Sequence, residues 1–389
     1  MAVYRNDMGA GSADKNKKFN KKFTNFFFLT PPQSFITDHF PYINNNIEES
    51  KQWQLLENPL TLEVYSKSIK PSKEARHFGI EFPSHPYEMI TVENACTIAV
   101  ESKADILRGV LCHLYDDHGS TCSESVIVLK ENNCKYRVTV SPRRKGRYSL
   151  DVYATIDKSD SNPQLVTYLI DCVSVEADFM AYPTNHGYYG PQLDYIQRGF
   201  HTADVIQPFH MCKNGEFELE VKTTATPEIT TTMFDGDGTD QKDYTLVEQT
   251  DNTIYIRARF TKKGYYKLTI FSKFGESEKY TEALVLLIFN WNESETTSSF
   301  PLTYTATREY KCRLLEPLVR DIPANSEVQF QFTSPELTKL LVNKKVHTQE
   351  NGDVWRIVAE TGESGNLKLS GNPSDGSSYS AVYGFVIKS

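Results

Sequence analysis

Residues Tyr136–Tyr153 read YRVTVSPRRKGRYSLDVY, and a similar stretch, IYIRARFTKKGYYKLTIF, follows at Ile254–Phe271. In both stretches, apolar and polar residues alternate on each side of a short polar segment that contains glycine. This period of two is typical of half-buried β-strands. A weaker copy, WRIVAETGESGNLKL, occupies Trp355–Leu369. The pattern predicts a strand, a tight turn and a second strand in each copy, which we interpret as a β-hairpin.

The spacing of the three copies predicts the size and number of the domains. Their glycines, Gly146, Gly264 and Gly365, lie 118 and 101 residues apart. A length of about 100 residues of alternating strands is typical of an immunoglobulin-like sandwich. The cysteine pair and core tryptophan of antibody domains are not evident, so the prediction is limited to two packed antiparallel sheets. We expect a mainly β protein of three tandem sandwiches, over residues 61–176, 177–294 and 295–389.

The first 60 residues have a different character. Lys15–Lys22 is basic and is interleaved with phenylalanines, at spacings that place the rings on one helical face. We expect an amphipathic helix that packs on the next domain, or else contacts a membrane surface or a partner. Pro31-Pro32 should stop this helix. From Leu60 onwards, short alternating runs predict strands.

Composition and charge exclude several classes of protein. The net charge of −8 gives no reason to expect a nucleic-acid partner. The longest apolar run, Ala283–Phe289, has seven residues, far short of the ~20 that span a bilayer. Met1–Lys22 lacks the apolar segment of a secretory signal. Seven scattered cysteines then indicate reduced thiols in the cytoplasm. We expect a cytoplasmic protein with no membrane span and no small-molecule substrate.

A second signal lies between residues 28 and 62. Phe28–Pro41 reads FLTPPQSFITDHFP, and it is followed by WQLL at Trp53–Leu56 and PLTL at Pro59–Leu62. These motifs resemble the kyphoscoliosis peptidase and hillarin family, in which such a stretch closes a transglutaminase-like domain and leads into immunoglobulin-like modules. The resemblance implies that residues 1–60 are the C-terminal remnant of that domain. It also implies an intracellular protein that associates with the cytoskeleton.

Members of this family carry a Cys-His-Asp triad, in which the cysteine thiolate attacks and the histidine accepts its proton. The resemblance places the cysteine and histidine upstream of the matched segment, outside this chain. The resemblance aligns Met8–Gly11 (MGAG) with the family's Trp-Gly-x-Gly turn, with Met in place of Trp, which puts Arg5 at the aspartate position. A cation cannot orient an imidazole as a carboxylate does. No catalytic residue carries over, so we expect no enzyme activity from this chain.

Cysteine and histidine residues elsewhere offer two further hypotheses. Cys112 precedes His113, but neighbours on a strand point to opposite faces, so they should not form a nucleophile–base pair. The second hypothesis is a zinc site formed by Cys112, His118, Cys122 and Cys134. Their irregular spacing lacks the short knuckle that presents two thiolates in structural zinc sites. We expect a buried thiol and a surface imidazole, and no zinc.

The most metal-like string is DGDGTD at Asp235–Asp240. Its carboxylates suit calcium, but Asp240 and Leu246 stand where an EF-hand loop needs glycine and glutamate. A comparable acidic turn, DDHG, occurs at Asp116–Gly119 in the first repeat. The parallel favours an ordinary inter-strand turn, with adventitious calcium binding as the alternative. We therefore expect no metal and no cofactor.

Two other features are interpreted as surface or connecting elements. Basic residues precede the repeat glycines at Arg143–Lys145 and at Lys262-Lys263. We interpret them as solvated tips of the turns. The alternative is that they contact phosphate or a filament. Tyr182–Pro191 is read as a linker between the first and second modules. Its rings should either fix the angle between the modules or offer a docking surface.

The sequence favours a non-catalytic interaction protein. Tandem sandwiches have unpaired edge strands, onto which an extended peptide can add by backbone hydrogen bonding. The family resemblance implies that the protein partners are cytoskeletal. The alternative is the accessory C-terminal part of a transglutaminase-like cysteine peptidase whose catalytic half is missing from this chain. A calcium-dependent adhesion module is a third, weaker hypothesis.

Overall fold

The computed structural model describes residues 30–43, 46–157, 161–201, 206–273, 279–293, 298–349, 352–374 and 377–389. The predictions for Arg5, Met8–Gly11 and the phenylalanine-rich helix after Lys15 lie outside these ranges. The described residues form two compact units. The first comprises residues up to Cys122 together with Asn133–Val175, and the second comprises Ser123–Asn132 together with Glu176–Ser389.

Four short helices open the described chain: α1 (Pro32–Phe35), α2 (Ile47–Gln54), α3 (Leu62–Lys67) and α4 (Lys73–His77). Pro32 is the first residue of α1, and the helix that Pro31-Pro32 is predicted to stop lies outside the described ranges. A proline lacks just the amide hydrogen that the first helical turn leaves unpaired. Strands begin at Ile80, later than the predicted change at Leu60, because the side chains of Thr61 and Ser72 cap α3 and α4.

The first unit holds the first sandwich. One sheet has the strand order β1-β3-β6, and the other has the order β2-β8-β7-β4. β5 (Val126–Asn132) belongs to the second unit. The strands of the first unit are β1 (Ile80–Glu81), β2 (Met89–Glu93), β3 (Cys96–Ser102), β4 (Leu107–Asp116), β6 (Lys135–Val140), β7 (Gly146–Ile156) and β8 (Gln164–Ser174).

The second sandwich packs the sheet β10-β16-β15-β12 against the sheet β11-β14-β13, and β9 pairs with β16. Its core includes Met233, Ile256 and Leu268. The strands are β9 (Gly190–Pro191), β10 (Phe209–Cys212), β11 (Glu216–Lys222), β12 (Glu228–Asp235), β13 (Thr245–Thr250), β14 (Thr253–Arg259), β15 (Gly264–Lys273) and β16 (Thr281–Asn290).

The third sandwich packs the sheet β17-β25-β24-β21-β22, with β19 beside β25, against the sheet β18-β20-β23. Its core includes Phe330, Trp355 and Tyr383. The elements are β17 (Leu302–Thr303), α5 (Thr305–Glu309), β18 (Arg313–Glu316), β19 (Asp321–Pro323), β20 (Glu327–Thr333), β21 (Lys339–Val342), β22 (Lys345–Thr348), β23 (Val354–Glu360), β24 (Gly365–Asn372) and β25 (Ser380–Lys388). The predicted fold of three tandem β-sandwiches is confirmed.

Among the described strands, neighbours are antiparallel except for one parallel pair in each sandwich. These pairs are β2 with β8, β10 with β16 and β19 with β25. In each case a strand from early in the sandwich lies beside its last strand. A period-two pattern identifies a strand but carries no information on its direction relative to a distant neighbour, so the all-antiparallel prediction missed these pairs.

The repeated glycine segments do not form hairpins, and that prediction was wrong. β6 and β7, β14 and β15, and β23 and β24 lie in opposite sheets of their sandwiches. Gly146 and Gly264 start the second strand with φ of 145° at both positions, a conformation that favours glycine. Two residues later, the Tyr148 hydroxyl donates to the Arg144 carbonyl at 2.9 Å, and Tyr266 donates to Lys262 at 2.9 Å. The crossings of the first and second sandwiches are therefore each fastened by a tyrosine corner.

Replacing Tyr266 by Phe should lower the free energy of unfolding by about 1–3 kcal/mol, because the buried hydroxyl both donates to and accepts from the Lys262 backbone. Urea unfolding measures the loss. Tyr244→Phe is the control, since no hydrogen bond of the Tyr244 hydroxyl is found in the part of the chain that the structure describes. Equal stability of wild type and Tyr266→Phe would contradict the role of the corner.

The apolar run of Ala283–Phe289 is a strand buried on both faces. Leu284, Leu286 and Ile288 face the core of the second sandwich. Val285 and Leu287 face the other way, into a cluster that includes Tyr189. Continuous apolar sequence is expected of a strand covered on both sides. Among the helices of the described residues, none is both long and apolar enough to cross a membrane.

Candidate functional site

The cysteine and histidine of β4 do not form a reactive couple. Cys112 lies opposite Val152 and His113 opposite Asp151, so the two side chains leave opposite faces of the strand. Burial raises the pKa of the Cys112 thiol, and it raises the pKa of Cys96 to about 11 and of Cys312 to about 12. A raised pKa disfavours the thiolate, which is the nucleophilic form and the metal-binding form.

The acidic loop after β12 uses its carboxylates internally. Oδ1 of Asp235 accepts from the amides of Asp237 at 3.0 Å and Thr239 at 2.8 Å, and Oδ2 lies 3.0 Å from the Lys262 ammonium. Asp116 accepts from two backbone amides of its own turn in the same way. Within the described ranges, no group of three or more His, Cys, Asp and Glu residues is placed to hold a metal ion. The geometry is that of a turn closed by its first aspartate.

Asp235 is nearly fully buried, and burial alone would raise its pKa. The amide of Thr239 and the Lys262 ammonium act in the opposite direction and hold the pKa below its ordinary value. Lys262 in turn bonds to Asp237 and Asp235, which together raise its pKa to about 12. The carboxylate therefore stabilises the fold in its charged form.

Asp235→Asn should lower the free energy of unfolding at neutral pH by about 1–3 kcal/mol, because charge-assisted hydrogen bonds are lost. Since the folded-state pKa lies below the ordinary 3.8, this contribution is complete above that pH and is lost as the pH falls through the folded value. Urea unfolding across the acid range should show the two proteins converging. A difference that persists unchanged in strong acid contradicts this assignment, and exposed Asp237→Asn is the control.

The basic tips differ between the repeats. Lys262 is paired with Asp235 and Asp237, and Lys263 is paired with Glu293 at 3.1 Å. The cations of the second sandwich are therefore balanced within the chain. Arg143–Lys145 in the first sandwich is exposed, so the hypothesis of a phosphate or filament contact rests on that tip alone.

The rings of the predicted linker are buried. Tyr189 is fully buried, its hydroxyl donates to the Pro183 carbonyl at 3.0 Å, and its amide donates to Val128 of β5 at 2.8 Å. Tyr182 packs on Tyr265 with ring centroids 4.6 Å apart. These rings therefore cover the outer face of β16 and are not exposed for docking.

A buried polar network, which the sequence analysis missed, joins the second and third sandwiches. Glu248 on β13 is 2% exposed. Its Oε1 accepts from the Leu314 amide at 2.6 Å and from the Tyr383 hydroxyl at 2.7 Å. Its Oε2 lies 3.4 Å from Arg257, which also donates to the Leu314 carbonyl at 2.9 Å. Leu314 and Tyr383 belong to the third sandwich, so the carboxylate is shared by both.

Two more arginines reinforce the same contact. Arg259 donates to the carbonyls of Ser298 at 3.1 Å and Leu318 at 2.8 Å, and it stacks 4.3 Å from the Phe300 ring centre. Arg320 of the third sandwich reaches back to Asp243 at 3.1 Å. The second and third sandwiches are therefore connected by directional polar contacts as well as by chain continuity.

Burial dominates the electrostatics of this network. It raises the pKa of Glu248, against the hydrogen bonds from Leu314 and Tyr383 and the charge of Arg257. Burial also raises the pKa of Tyr383, and the adjacent Glu248 adds to that shift. A carboxylate in such a position is tolerated only when its acceptor sites are filled.

One feature of the sequence could have indicated this network. Arg257 and Arg259 occupy positions that hold Thr139 and Ser141 in the first repeat.

Glu248→Leu should lower the free energy of unfolding by about 3–5 kcal/mol, because it leaves buried donors of Leu314, Tyr383 and Arg257 without their acceptor. Urea unfolding followed by tryptophan fluorescence measures the loss, because Trp355 of the third sandwich is buried in the folded state whereas Trp53 and Trp291 are exposed. Glu218→Leu is the control. It removes the other carboxylate partner of Arg257, which is 68% exposed, and it should lower the free energy of unfolding by no more than about 1 kcal/mol. Similar losses of unfolding free energy in Glu248→Leu and Glu218→Leu would show that burial of the Glu248–Arg257 pair does not determine its contribution to stability.

The sheets and the shared network define a protein of tandem immunoglobulin-like sandwiches. Residues 70–183 and 194–301 match the family described as KY-like, immunoglobulin-like domain, and together they cover more than half of the chain. The chain belongs to this family.

Curated relatives point the same way. The chain is similar to kyphoscoliosis peptidase of Mus musculus, at 24% identity over 362 residues, and of Homo sapiens, at 25% over 362 residues. Each match covers 90% of this chain and 50% of the relative. The resemblance to kyphoscoliosis peptidase is thus confirmed, and the chain spans about half the length of these relatives.

Solved structures similar to this chain include two tandem immunoglobulin proteins. One is a tandem of titin immunoglobulin domains, at 15% identity and a TM-score of 0.18, with 53% of this chain and 93% of that chain covered. The other is the N-terminal Ig1-2 module of the Drosophila receptor protein tyrosine phosphatase DLAR, at 11% identity and a TM-score of 0.15, with 53% of this chain and 94% of that chain covered.

Proposed function

We propose that this chain is a non-catalytic interaction protein whose tandem immunoglobulin-like modules present binding surfaces to cytoskeletal proteins inside the cell. The observation that carries the proposal is the Glu248 network. Because Arg257 and Tyr383 meet on one buried carboxylate, the second and third sandwiches behave as one stiff segment. A stiff segment holds separate surfaces at a constant spacing, which suits a scaffold.

The chemistry of the thiols supports a binding role over a catalytic one. Burial raises the pKa of Cys96, Cys112, Cys172 and Cys312, which opposes formation of a nucleophilic thiolate at neutral pH. His113 packs its ring edge-on against Tyr153, 5.6 Å away between ring centres. The burial of these thiols and the ring packing of His113 are typical of side chains that stabilise the fold.

A second candidate is the accessory region of a cysteine peptidase. The observation that favours it is that the matched relatives are called peptidases and that this chain spans half of their length. Sequencing the transcript upstream of the Met1 codon distinguishes the candidates. Gly-x-Cys and His-x-Trp segments in frame would favour the peptidase, and a stop codon would favour the scaffold.

The test of the scaffold uses the tagged full chain in cultured muscle cells that are extracted with detergent. We expect wild type and Glu218→Leu to stay with the insoluble cytoskeleton, and Glu248→Leu to be extracted because its modules are uncoupled. Purified wild type should neither hydrolyse casein nor exchange amides at glutamine. Complete extraction of wild type, or hydrolysis that alkylation abolishes, would overturn the proposal. Equal retention of Glu248→Leu would refute the requirement for a stiff segment.

A further inference from the structure

A polar cavity of about 510 Å³ opens beside the second sandwich. Its walls come from the edge strands β12 and β13, and from β17 and α5 of the third sandwich. Gln249 of β13 lines this cavity. Its side chain is 5% exposed, and neither its Nε2 nor its Oε1 has a protein partner within the described ranges. Buried amides are normally paired, so this one marks a place where a ligand group fits.

The wall opposite Gln249 offers unpaired backbone. Among the described strands, β12 pairs with β15 on one side and with none on the other. Met233 accepts from the Gln241 amide at 2.8 Å and Asp235 donates to Thr239 at 3.2 Å, so odd-numbered residues of β12 direct their backbone groups away from β15. Ile229 and Thr231 follow the same alternation and line the cavity. Their amide and carbonyl groups form a short open edge.

This edge also lacks the features that protect other edges from pairing. Residues 229–234 read ITTTMF, without charge, proline or glycine, and their register with β15 is unbroken. By contrast, the edge strand β4 carries Arg108 and a register shift after Leu107, and the edge strand β22 carries Lys345. A flat uncharged edge is a template for another strand.

The charges around the cavity favour an uncharged ligand group. Lys242 and Arg308 balance Glu228 and Glu248 among the lining residues. Glu228 is held by the Tyr280 hydroxyl at 2.9 Å and lies 3.8 Å from Arg308. An amide such as that of Gln249 both donates and accepts, so its best complement is another amide.

We propose that an extended segment of a partner protein adds as a strand to the β12 edge at Ile229 and Thr231, and places an asparagine or glutamine side chain against Gln249. This inference rests on the proposed function and names its docking site. Main-chain hydrogen bonds supply the affinity, and the amide pocket supplies the selectivity.

The test selects peptides from a random display library on the immobilised full chain. Thr231→Pro removes the backbone N–H that points away from β15, and it breaks no hydrogen bond between β12 and β15. Gln249→Leu removes the side-chain amide. The control is Thr232→Val, because Thr232 is not among the residues that line the cavity and its amide faces β15. We expect selected peptides to contain Asn or Gln between β-branched residues. They should bind wild type and Thr232→Val equally, and they should bind Thr231→Pro and Gln249→Leu about tenfold or more weakly.

Thermal unfolding separates loss of the site from loss of the fold. Gln249→Leu should unfold at a higher temperature than wild type, because a buried unpaired amide is removed. Failure to enrich any peptide, or equal binding to all variants, would overturn the proposal. A wild-type dimer that Thr231→Pro dissociates would overturn it in favour of pairing with a second copy. If Thr231→Pro abolishes peptide binding but not cytoskeletal retention, the site is not the cytoskeletal contact and the proposed function stands without it.

Discussion

The desolvated carboxylate of Glu248 is the constraint on which the second half of the molecule depends. Removing a charge from water is costly, and only a full set of partners compensates for it. β14 supplies Arg257, while the third sandwich supplies the Leu314 amide and the Tyr383 hydroxyl. Separating the two sandwiches would leave groups on both sides unpaired. Their contact is therefore coupled to the stability of each sandwich.

Apolar burial on the opposite sheet has a comparable effect. β16 is covered by the core on one face and by Tyr189 and its neighbours on the other. The segment that reads as a linker is thus a structural part of the second unit. By contrast, neither the donor nor the acceptor of the Gln249 amide is paired within the described ranges, and the edge of β12 is open; both are exceptions to such pairing. Such exceptions are where sequence rules and packing disagree, and they are the expected places for function.

The repeat at Gly146 and Gly264 carried most of the predictable structure. The alternation of apolar and polar residues predicted the strands, and the spacing of the glycines predicted the three sandwiches. The hairpin prediction was wrong because alternation does not say which sheet a strand joins. The corner tyrosines, Tyr148 and Tyr266, were visible at the same distance after each glycine and would have indicated the crossing. The third copy has Leu367 at that position, so its crossing lacks this fastening.

Local alternation and turn residues were enough to predict strands grouped into sandwiches, because the period of the side chains along a strand depends only on near neighbours. The parallel strand pairs, the sharing of Glu248 and the isolation of Gln249 were decided only by tertiary structure. Within TLVEQT, Glu248 and Gln249 read as two ordinary polar residues of a strand. Glu248 is held by Leu314 and Tyr383, which lie more than fifty residues away, and no local pattern encodes a contact at that distance.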